Sequence, residues 1–154
     1  MWTVNHGLGG LENLSLIPGS VGAGPVQNIG AYGVELKDCF HSLNAIDLVS
    51  GNDRAFSKEE CRFGYRDSIF KRELKGRMLI YSVTFRLSKV PMLKLGYGAI
   101  KQELEAMSVN KPTIADVSKA VCSIRISKLP DPAVTGNAGS FLKTLWFRPE
   151  KLKT

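Results

Sequence analysis

Apolar and polar side chains alternate most regularly between Met78 and Leu87. A period of two residues is typical of a β-strand, in which successive side chains point to opposite faces. The apolar members of the alternation are Leu79, Tyr81, Val83, Phe85 and Leu87. We therefore predict a strand over residues 78–87.

A helical period follows further along the chain. Thr113 stands three residues before Asp116, which is the spacing of a capping box at a helix N-terminus. The apolar positions behind it recur every three to four residues at Ile114, Val117, Val121 and Ile124. The pattern predicts a helix over Ile114–Ile126 whose apolar stripe belongs to the core rather than to a ligand site. Leu129–Pro132 contains two prolines and is expected to end the helix at a hinge or domain boundary.

Weaker patterns predict the other elements. In chain order these are a short helix at Leu8–Leu16, a strand within Asp38–Val49, a turn at Ser50–Asp53, a strand at Arg54–Phe56, a one-turn helix with Ser57 and Glu60 as its capping box, and a helix at Tyr97–Met107. Helices and strands are mixed without a regular strand–helix alternation. The predicted fold class is therefore α+β rather than a doubly wound parallel sheet.

The stretch from Gly7 to Gly33, here called the glycine segment, holds eight of the fifteen glycines of the chain. No charged residue lies between Leu14 and Val34. Glycine lets a backbone adopt positive φ or approach a ligand closely, and backbone amides held in turns bind phosphate well. The segment therefore predicts a loop that wraps a large, flat, partly polar ligand, with a ligand-free surface loop as the alternative. Pro18 and Pro25 argue against a membrane-spanning helix.

The charge balance favours anionic partners. The net charge is +7 and the sequence pI is about 9.5, while the 44% hydrophobic content is enough for the core of one domain. Basic residues are spread along the chain, and the densest patch is residues 71–77. The sequence has no interleaved aromatic–basic array of the kind that single-strand binders use, and no helix-turn-helix or zinc-finger spacing. A solvated basic face and a diphosphate ligand remain the two interpretations.

The cysteines indicate free thiols in a reducing compartment. Cys39, Cys61 and Cys122 are odd in number and far apart, and the sequence has no CxxC pair. His6 and His41 lie near no cysteine pair, so a metal site is not expected. The N-terminus has no secretory signal pattern, and we expect a cytoplasmic protein.

Four blocks of sequence carry a more specific signal. They are ENLSLIPGSVGAGPVQNIGAYGVEL at residues 12–36, CRFGYRDSIFK at 61–71, SKLPDP at 127–132 and GNAGSF at 136–141. In this order they resemble the UDP-N-acetylenolpyruvoylglucosamine reductase (MurB) family of peptidoglycan synthesis, and the resemblance runs from about Gly7 to Lys143. It implies a partial FAD-binding domain of the PCMH type followed by the start of a substrate-binding domain.

The resemblance also implies a chemistry. Members of this family use NADPH and FAD to reduce a UDP-sugar enolpyruvate to UDP-N-acetylmuramate. Ser140, in the GNAGSF block, takes the role of the proton donor to the substrate carbon. Arg66, in the YRDSIFK block, takes the role of stabilising the substrate carboxylate and the developing enolate, which suits a guanidinium. The alternative for Arg66 is a structural ion pair with a carboxylate such as Asp67.

Binding residues follow from the same resemblance. The residues that match the part beside the flavin pyrophosphate and ribityl chain are Pro18, Gly19, Ser20, Val21, Gly22 and Ala23. The residues that match the part against the isoalloxazine are Gln27, Asn28, Gly30 and Ala31. The expected substrate residues are Tyr97 in LGYGAI and Lys128 in SKLPDP. The expected partner is a UDP-sugar, with no nucleic acid and no membrane insertion.

The sequence also departs from the family pattern. Thr144 stands where the family has asparagine, and Glu150 has the wrong context for the family's late catalytic glutamate. Members of the family are longer at both ends. We therefore expect residues 1–128 to be the C-terminal part of a flavin domain, and residues 129–154 to be a truncated start of the substrate domain with a divergent tail.

Three functions stay open on the sequence. The first is an oxidoreductase fragment that binds flavin weakly and associates through exposed apolar surface. The second is a folded remnant without activity. The third is a basic nucleic-acid-binding module, which the net charge alone suggests.

Overall fold

The computed structural model describes residues 1–130 and 134–135. Its helices and strands are α1 (Trp2–Asn5), β1 (Gly30–Ala31), β2 (Val34–Glu35), β3 (Phe40–Asp47), β4 (Asp53–Ser57), β5 (Met78–Phe85), α2 (Gly98–Ala106) and α3 (Ile114–Lys128). Short 3-10 helices occupy Glu12–Leu14, Val21–Gln27, Leu36–Asp38 and Ile69–Lys71. Helix and sheet are mixed, which confirms the predicted α+β class. Ser140 with the rest of the GNAGSF block, Thr144 and Glu150 lie outside the described residues.

The main sheet has three antiparallel strands in the order β4-β3-β5. Leu43 of β3 lies opposite Phe56 of β4 and Val83 of β5, and all three pack in one apolar core. The predicted strands are confirmed, with β5 ending at Phe85 instead of Leu87. A separate two-stranded ladder pairs β1 with β2.

The alternating residues of β5 do not share one environment. The pairing with β3 shifts between Asn44 and Ala45, because Asn44 lies opposite Ser82 while Ala45 lies opposite Ile80. Tyr81 is therefore left over at a β-bulge. Leu79 and Tyr81 are half exposed, whereas Ile80 packs against the core. A bulge changes the face of the sheet to which the following side chains point. The alternation of apolar and polar residues in the sequence does not predict the bulge.

The two long helices form a second apolar core. Ile100 and Leu104 of α2 pack against the stripe of α3, in which Val117 and Val121 are fully buried. The capping box of Thr113 and Asp116 is present, so the predicted helix is confirmed. The helix continues two residues beyond Ile126 and ends where Leu129 turns extended, as expected for a residue before a proline.

Two predicted helices are wrong. In Leu8–Leu16 only Glu12–Leu14 is helical, because Gly10 has a φ of 129° and Gly9 instead bridges to Ser88. Ser57 and Glu60 do exchange their reciprocal hydrogen bonds, but these close a turn rather than a helix. Of the glycine segment, Val21–Gln27 is a 3-10 helix and not an irregular loop.

No helix among the described residues is long and apolar enough to cross a membrane. The buried thiols are weak nucleophiles, because burial raises the pKa of Cys39 to about 11 and that of Cys61 to about 12. Both therefore stay protonated near neutral pH.

Candidate functional site

A tight turn presents Arg66. Gly64 and Asp67 exchange two backbone hydrogen bonds, N···O 2.9 and 3.3 Å, and form an isolated β-bridge. Arg66 lies in this turn with a φ of 52°, a conformation that costs a residue with a side chain about 1–3 kcal/mol. Lys71 Nζ donates to the Arg66 carbonyl at 3.0 Å. Such strain persists only where surrounding contacts impose it, and it concentrates at functional sites.

The Arg66 guanidinium lies against the end of the glycine segment. Its Nη2 donates to the Gly30 carbonyl at 2.5 Å, and its Nη1 lies 4.0 Å from Glu35 Oε1. Gly30 and Glu35 are paired with each other across β1 and β2. We call Arg66, Gly30 and Glu35 the Arg66 junction. Its side chains are largely buried, since that of Arg66 is 13% exposed and that of Glu35 is 22% exposed.

The ionic partner of Arg66 differs from the expected alternative. The sequence suggested Asp67, but in the structure Asp67 forms an ion pair with Arg72, Nε···Oδ2 3.6 Å. Glu35 instead faces Arg66 and also pairs with Lys37, Nζ···Oε2 2.6 Å. Glu35 is a residue that the sequence analysis missed, because only the β1–β2 pairing brings it beside Gly30.

Two more hydrogen bonds join the turn region to the glycine segment. Asn28 Nδ2 donates to the Gly64 carbonyl at 2.9 Å, and Ser68 Oγ donates to the Val26 carbonyl at 2.7 Å. Asn28 is fully buried, and its Oδ1 accepts from the Lys37 amide at 3.0 Å. The Asn28 side chain is thus committed to holding the glycine segment against the turn.

Packing explains some of the glycines that were expected at a cofactor. A Cβ on Gly22 would lie 2.7 Å from the Ile80 carbonyl oxygen, and one on Gly30 would lie 2.5 Å from Arg66 Nη1. Both positions therefore need glycine whether or not a ligand is present. Gly19 is different, because it has a φ of 104° and open space around it.

The other residues matched to the pyrophosphate part lie on the surface. Pro18, Gly19, Ser20, Val21 and Ala23 are exposed, and Gly22 is half buried. Leu16 and Val21 leave more than half of their area exposed. This surface is uncharged, apolar in part and contiguous along the chain. Gln27, Gly30 and Ala31 are half buried, and Gln27 Oε1 is a buried atom with no hydrogen-bond partner among the described residues.

A cleft of about 390 Å³ lies at the C-terminal end of the glycine segment. It is lined by Tyr32, Gly33 and residues 93–97. The Tyr32 and Tyr97 rings meet edge to face with centroids 5.3 Å apart, and burial raises the pKa of Tyr32. The structure thus brings the predicted substrate residue Tyr97 next to the end of the glycine segment.

One buried side chain joins the two walls of this cleft. Asn13 Nδ2 donates to the carbonyls of Tyr32 and Lys94, at 3.0 Å each. Asn13 is 1% exposed, and no local pattern of apolar positions distinguishes it from its neighbours. Buried amide side chains are normally hydrogen-bonded, and both Asn13 contacts are to backbone carbonyls.

Lys128 lies on a different element from Arg66 and Tyr97. It is exposed in the last turn of α3, and no hydrogen bond or ion pair within residues 1–130 joins it to Arg66 or Tyr97. Ser140 lies outside the described residues.

The densest basic patch is partly neutralised by nearby carboxylates. Arg77 Nη2 lies 2.9 Å from Asp47, and Arg72 lies within 3.7 Å of Glu73 and close to Asp67. Exposed pairs of this kind contribute little stability, but they lower the local positive charge. Among residues 1–130 no group of three or more histidine, cysteine, aspartate and glutamate side chains could hold a metal ion.

Comparison with known proteins tests the family resemblance directly. The chain is 62% identical over 137 residues to the UDP-N-acetylenolpyruvoylglucosamine reductase of Pseudomonas savastanoi pv. phaseolicola, which is 89% of this chain and 40% of that protein. The reductases of Pseudomonas aeruginosa and Burkholderia lata are 58% and 56% identical, with 92% of this chain and 42% and 41% of theirs covered. No protein-family model matches the chain.

A solved structure gives a further match. The UDP-N-acetylenolpyruvylglucosamine reductase (MurB) of Thermus caldophilus superimposes with a TM-score of 0.48 and 20% identity, over 84% of this chain and 64% of that one. The sequence matches confirm the resemblance that the four blocks predicted. Over about nine tenths of its length the chain is homologous to UDP-N-acetylenolpyruvoylglucosamine reductases, and it spans about two fifths of the length of these curated relatives.

Proposed function

We propose that this chain forms part of the flavin-binding site of a cytoplasmic reductase that converts a UDP-sugar enolpyruvate to UDP-N-acetylmuramate in peptidoglycan synthesis. Its cofactors are FAD and NADPH. Residues 1–128 make up the C-terminal part of a flavin domain of the PCMH type, and residues 129–154 begin a substrate-binding domain. Because the chain spans only part of its relatives, the complete activity needs more than these 154 residues.

The observation that carries this proposal is the junction of two distant sequence blocks. Arg66, Asn28 and Ser68 each make a hydrogen bond between residues 64–68 and residues 26–30. These blocks are the ones expected to contact flavin and substrate. The three polar contacts fix the position of one block relative to the other, because buried polar networks are rigid. This arrangement supports a ligand site shared by the two blocks.

The residues present fit a flavin. The exposed, uncharged surface of residues 18–23 suits a large planar molecule with a polar tail, and Gly19 has room beside it. Gln27 Oε1 is a buried acceptor without a partner in residues 1–130, which a ligand donor would satisfy. When bound, FAD supplies hydride-transfer chemistry.

The chain's own side chains then have distinct roles. Arg66 keeps one amino group on the Gly30 carbonyl and offers the other to a substrate carboxylate, where a guanidinium also stabilises an enolate. Tyr97 covers substrate at the cleft beside Tyr32. Ser140 donates the proton to the substrate carbon, and Lys128 meets the substrate diphosphate.

Flavin titration of the purified chain, followed by NADPH oxidation with the enolpyruvyl substrate, tests the proposal. We expect FAD to bind more weakly than about 1 μM and turnover to be negligible, because these 154 residues supply only part of the amide donors and leave the ring open to water. Water weakens the interaction of Arg66 with a developing enolate. Sub-micromolar binding with turnover near the usual range of about 1–10³ per second would contradict the partial-site account.

The role of Ser140 needs a full-length relative that carries the GNAGSF block. Replacing the matching serine by alanine should slow the half-reaction with enolpyruvyl substrate by about 10²–10⁴. Flavin reduction by NADPH should be unchanged, because the serine acts only on substrate carbon. Equal slowing of both half-reactions would show that the serine is not the proton donor.

A further inference from the structure

We infer that Glu35 is a positioning residue for Arg66. The inference rests on the proposed function, in which the Arg66 guanidinium acts on substrate. Glu35 lies in the first of the four blocks, but the family resemblance assigns no role to it. Its place in the Arg66 junction follows from its pairing with Gly30 and its distance of 4.0 Å from Arg66 Nη1.

The geometry anchors one end of the guanidinium and leaves the other end available. Nη2 is committed to the Gly30 carbonyl. Nη1 faces Glu35 Oε1 at 4.0 Å, which is beyond hydrogen-bond length, so charge orients it without consuming its donors. Arg66 therefore keeps free N–H groups for a ligand while its direction is fixed.

The unpaired carboxylate oxygen supports this role. Glu35 Oε1 is buried and has no hydrogen-bond partner within residues 1–130, although the other oxygen contacts Lys37. A buried, unbonded carboxylate oxygen is costly and calls for an explanation. The reciprocal cap with Asp38 at the 3-10 helix Leu36–Asp38 helps to place the side chain, and holding a cation in place without bonding it explains the missing bond at Oε1.

The absence of a side chain on Gly30 completes the arrangement. A Cβ there would lie 2.5 Å from Arg66 Nη1 and 3.1 Å from Glu35 Cγ. The guanidinium can lie between the glycine and the carboxylate only because that space is empty. The strained φ of Arg66 holds the turn in the orientation that reaches this space.

Nitrogen-15 NMR of arginine side chains in the 154-residue chain tests the inference without activity. Arg66→Lys assigns the Arg66 signals. Glu35→Gln, which keeps the side-chain shape, should speed the exchange of the Arg66 guanidinium protons by about 2- to 10-fold, the range expected for one lost polar contact. Glu73→Gln is the matched control, because Glu73 pairs with Arg62 and Arg72 elsewhere on the surface and should leave Arg66 unchanged.

A second variant acts in the opposite direction and preserves Glu35. Lys37→Met removes the cation that shares the Glu35 carboxylate, so Arg66 exchange should slow by about twofold or more. Unchanged Arg66 exchange in folded Glu35→Gln would overturn the inference. If Glu35→Gln does not fold, unchanged exchange in Lys37→Met would overturn it.

A double-mutant cycle in a full-length relative carrying both residues separates this inference from the proposed function. Arg66→Lys should slow the half-reaction with enolpyruvyl substrate by about 100-fold and Glu35→Gln by about tenfold, while the double variant should be within about twofold of Arg66→Lys alone. If Arg66→Lys has no effect, the proposed role of Arg66 fails. If Arg66→Lys slows the reaction and the Glu35→Gln effect is independent of it, only the positioning role fails.

Discussion

The pair of helices α2 and α3 and the Arg66 junction are held by different kinds of contact. The helices meet through fully buried apolar side chains such as Val117 and Val121, which follow a local period in the sequence. The junction is held by single polar contacts between residues about 36 positions apart, such as Arg66 with Gly30. The first region tolerates changes that keep its volume, whereas the second depends on individual atoms.

This difference separates stability from function in the molecule. Burying apolar stripes is the main stabilising contribution in a small domain, and many sequences achieve it. At the junction, the strained φ at Arg66 and the unbonded oxygen at Glu35 both lower the stability of the fold. The strain at Arg66, combined with its polar contact to Gly30, makes the junction a candidate for ligand chemistry.

The largest effect on stability is expected in the helical pair. Leu104→Ala removes a side chain that is 4% exposed, and the free energy of unfolding should fall by about 2–5 kcal/mol because a cavity remains. Leu79→Ala, at a half-exposed site on β5, should cost less than about 1 kcal/mol. Urea unfolding of both variants measures the difference, and equal losses would mean that α2 is not packed as described.

A pair of glycine substitutions compares the two regions directly. Gly30→Ala should lower the free energy of unfolding by about 1–3 kcal/mol, because its Cβ meets Arg66 Nη1 and the Val34 carbonyl. Gly98→Ala in the first turn of α2 meets nothing within 4 Å and should raise it by at most about 1 kcal/mol. Thermal unfolding measures both variants. A Gly30→Ala variant as stable as the parent would contradict the close packing of Arg66 against Gly30.

The cap of α3 should have a smaller effect. Thr113 Oγ1 accepts a hydrogen bond from the Asp116 amide, so Thr113→Ala should cost about 1 kcal/mol of unfolding free energy. Ser123→Ala, at an exposed site in the middle of the same helix, serves as the control and should change little. Urea midpoints measure both, and a cost for Ser123→Ala equal to that for Thr113→Ala would argue against the cap.

The smallest effect concerns pH. Hydrogen bonds from the Thr113 hydroxyl and amide hold the pKa of Asp116 below its usual 3.8. The ionised carboxylate therefore stabilises the fold above the unfolded pKa, and this contribution is lost as pH falls through the lower folded pKa. The stability difference between the parent and Asp116→Asn should shrink below about pH 4. A difference that grew on acidification would reverse the assigned sign.

The sequence predicted the helical region better than the candidate site. The stripe of α3 and its cap are local patterns, and both are confirmed. The bulge at Tyr81, the 3-10 helix at Val21–Gln27 and the pairing of Gly30 with Glu35 depend on contacts between distant residues. No local period encodes those contacts, so Glu35 and Asn13 were found only in the structure.

The family resemblance supplied residues that physical patterns alone could not. Arg66 was singled out from its sequence block, and the structure adds its strained backbone and its contact with Gly30. Asn28 was expected against a flavin, whereas its side chain is used to hold the turn at Gly64. A matched motif therefore locates the candidate site. It does not show which of its residues contact the ligand and which only hold the site in shape.

The central claim is that the glycine segment and the turn at residues 64–67 form one flavin site. Amide chemical shifts of the 154-residue chain during titration with FAD, to about 1 mM, test it most directly because weak binding is still detected. We predict shifts in residues 18–23, 27–33 and 64–67, with α2 and α3 largely unaffected outside the cleft. Shifts confined to the helices, or no shifts at all, would contradict the account.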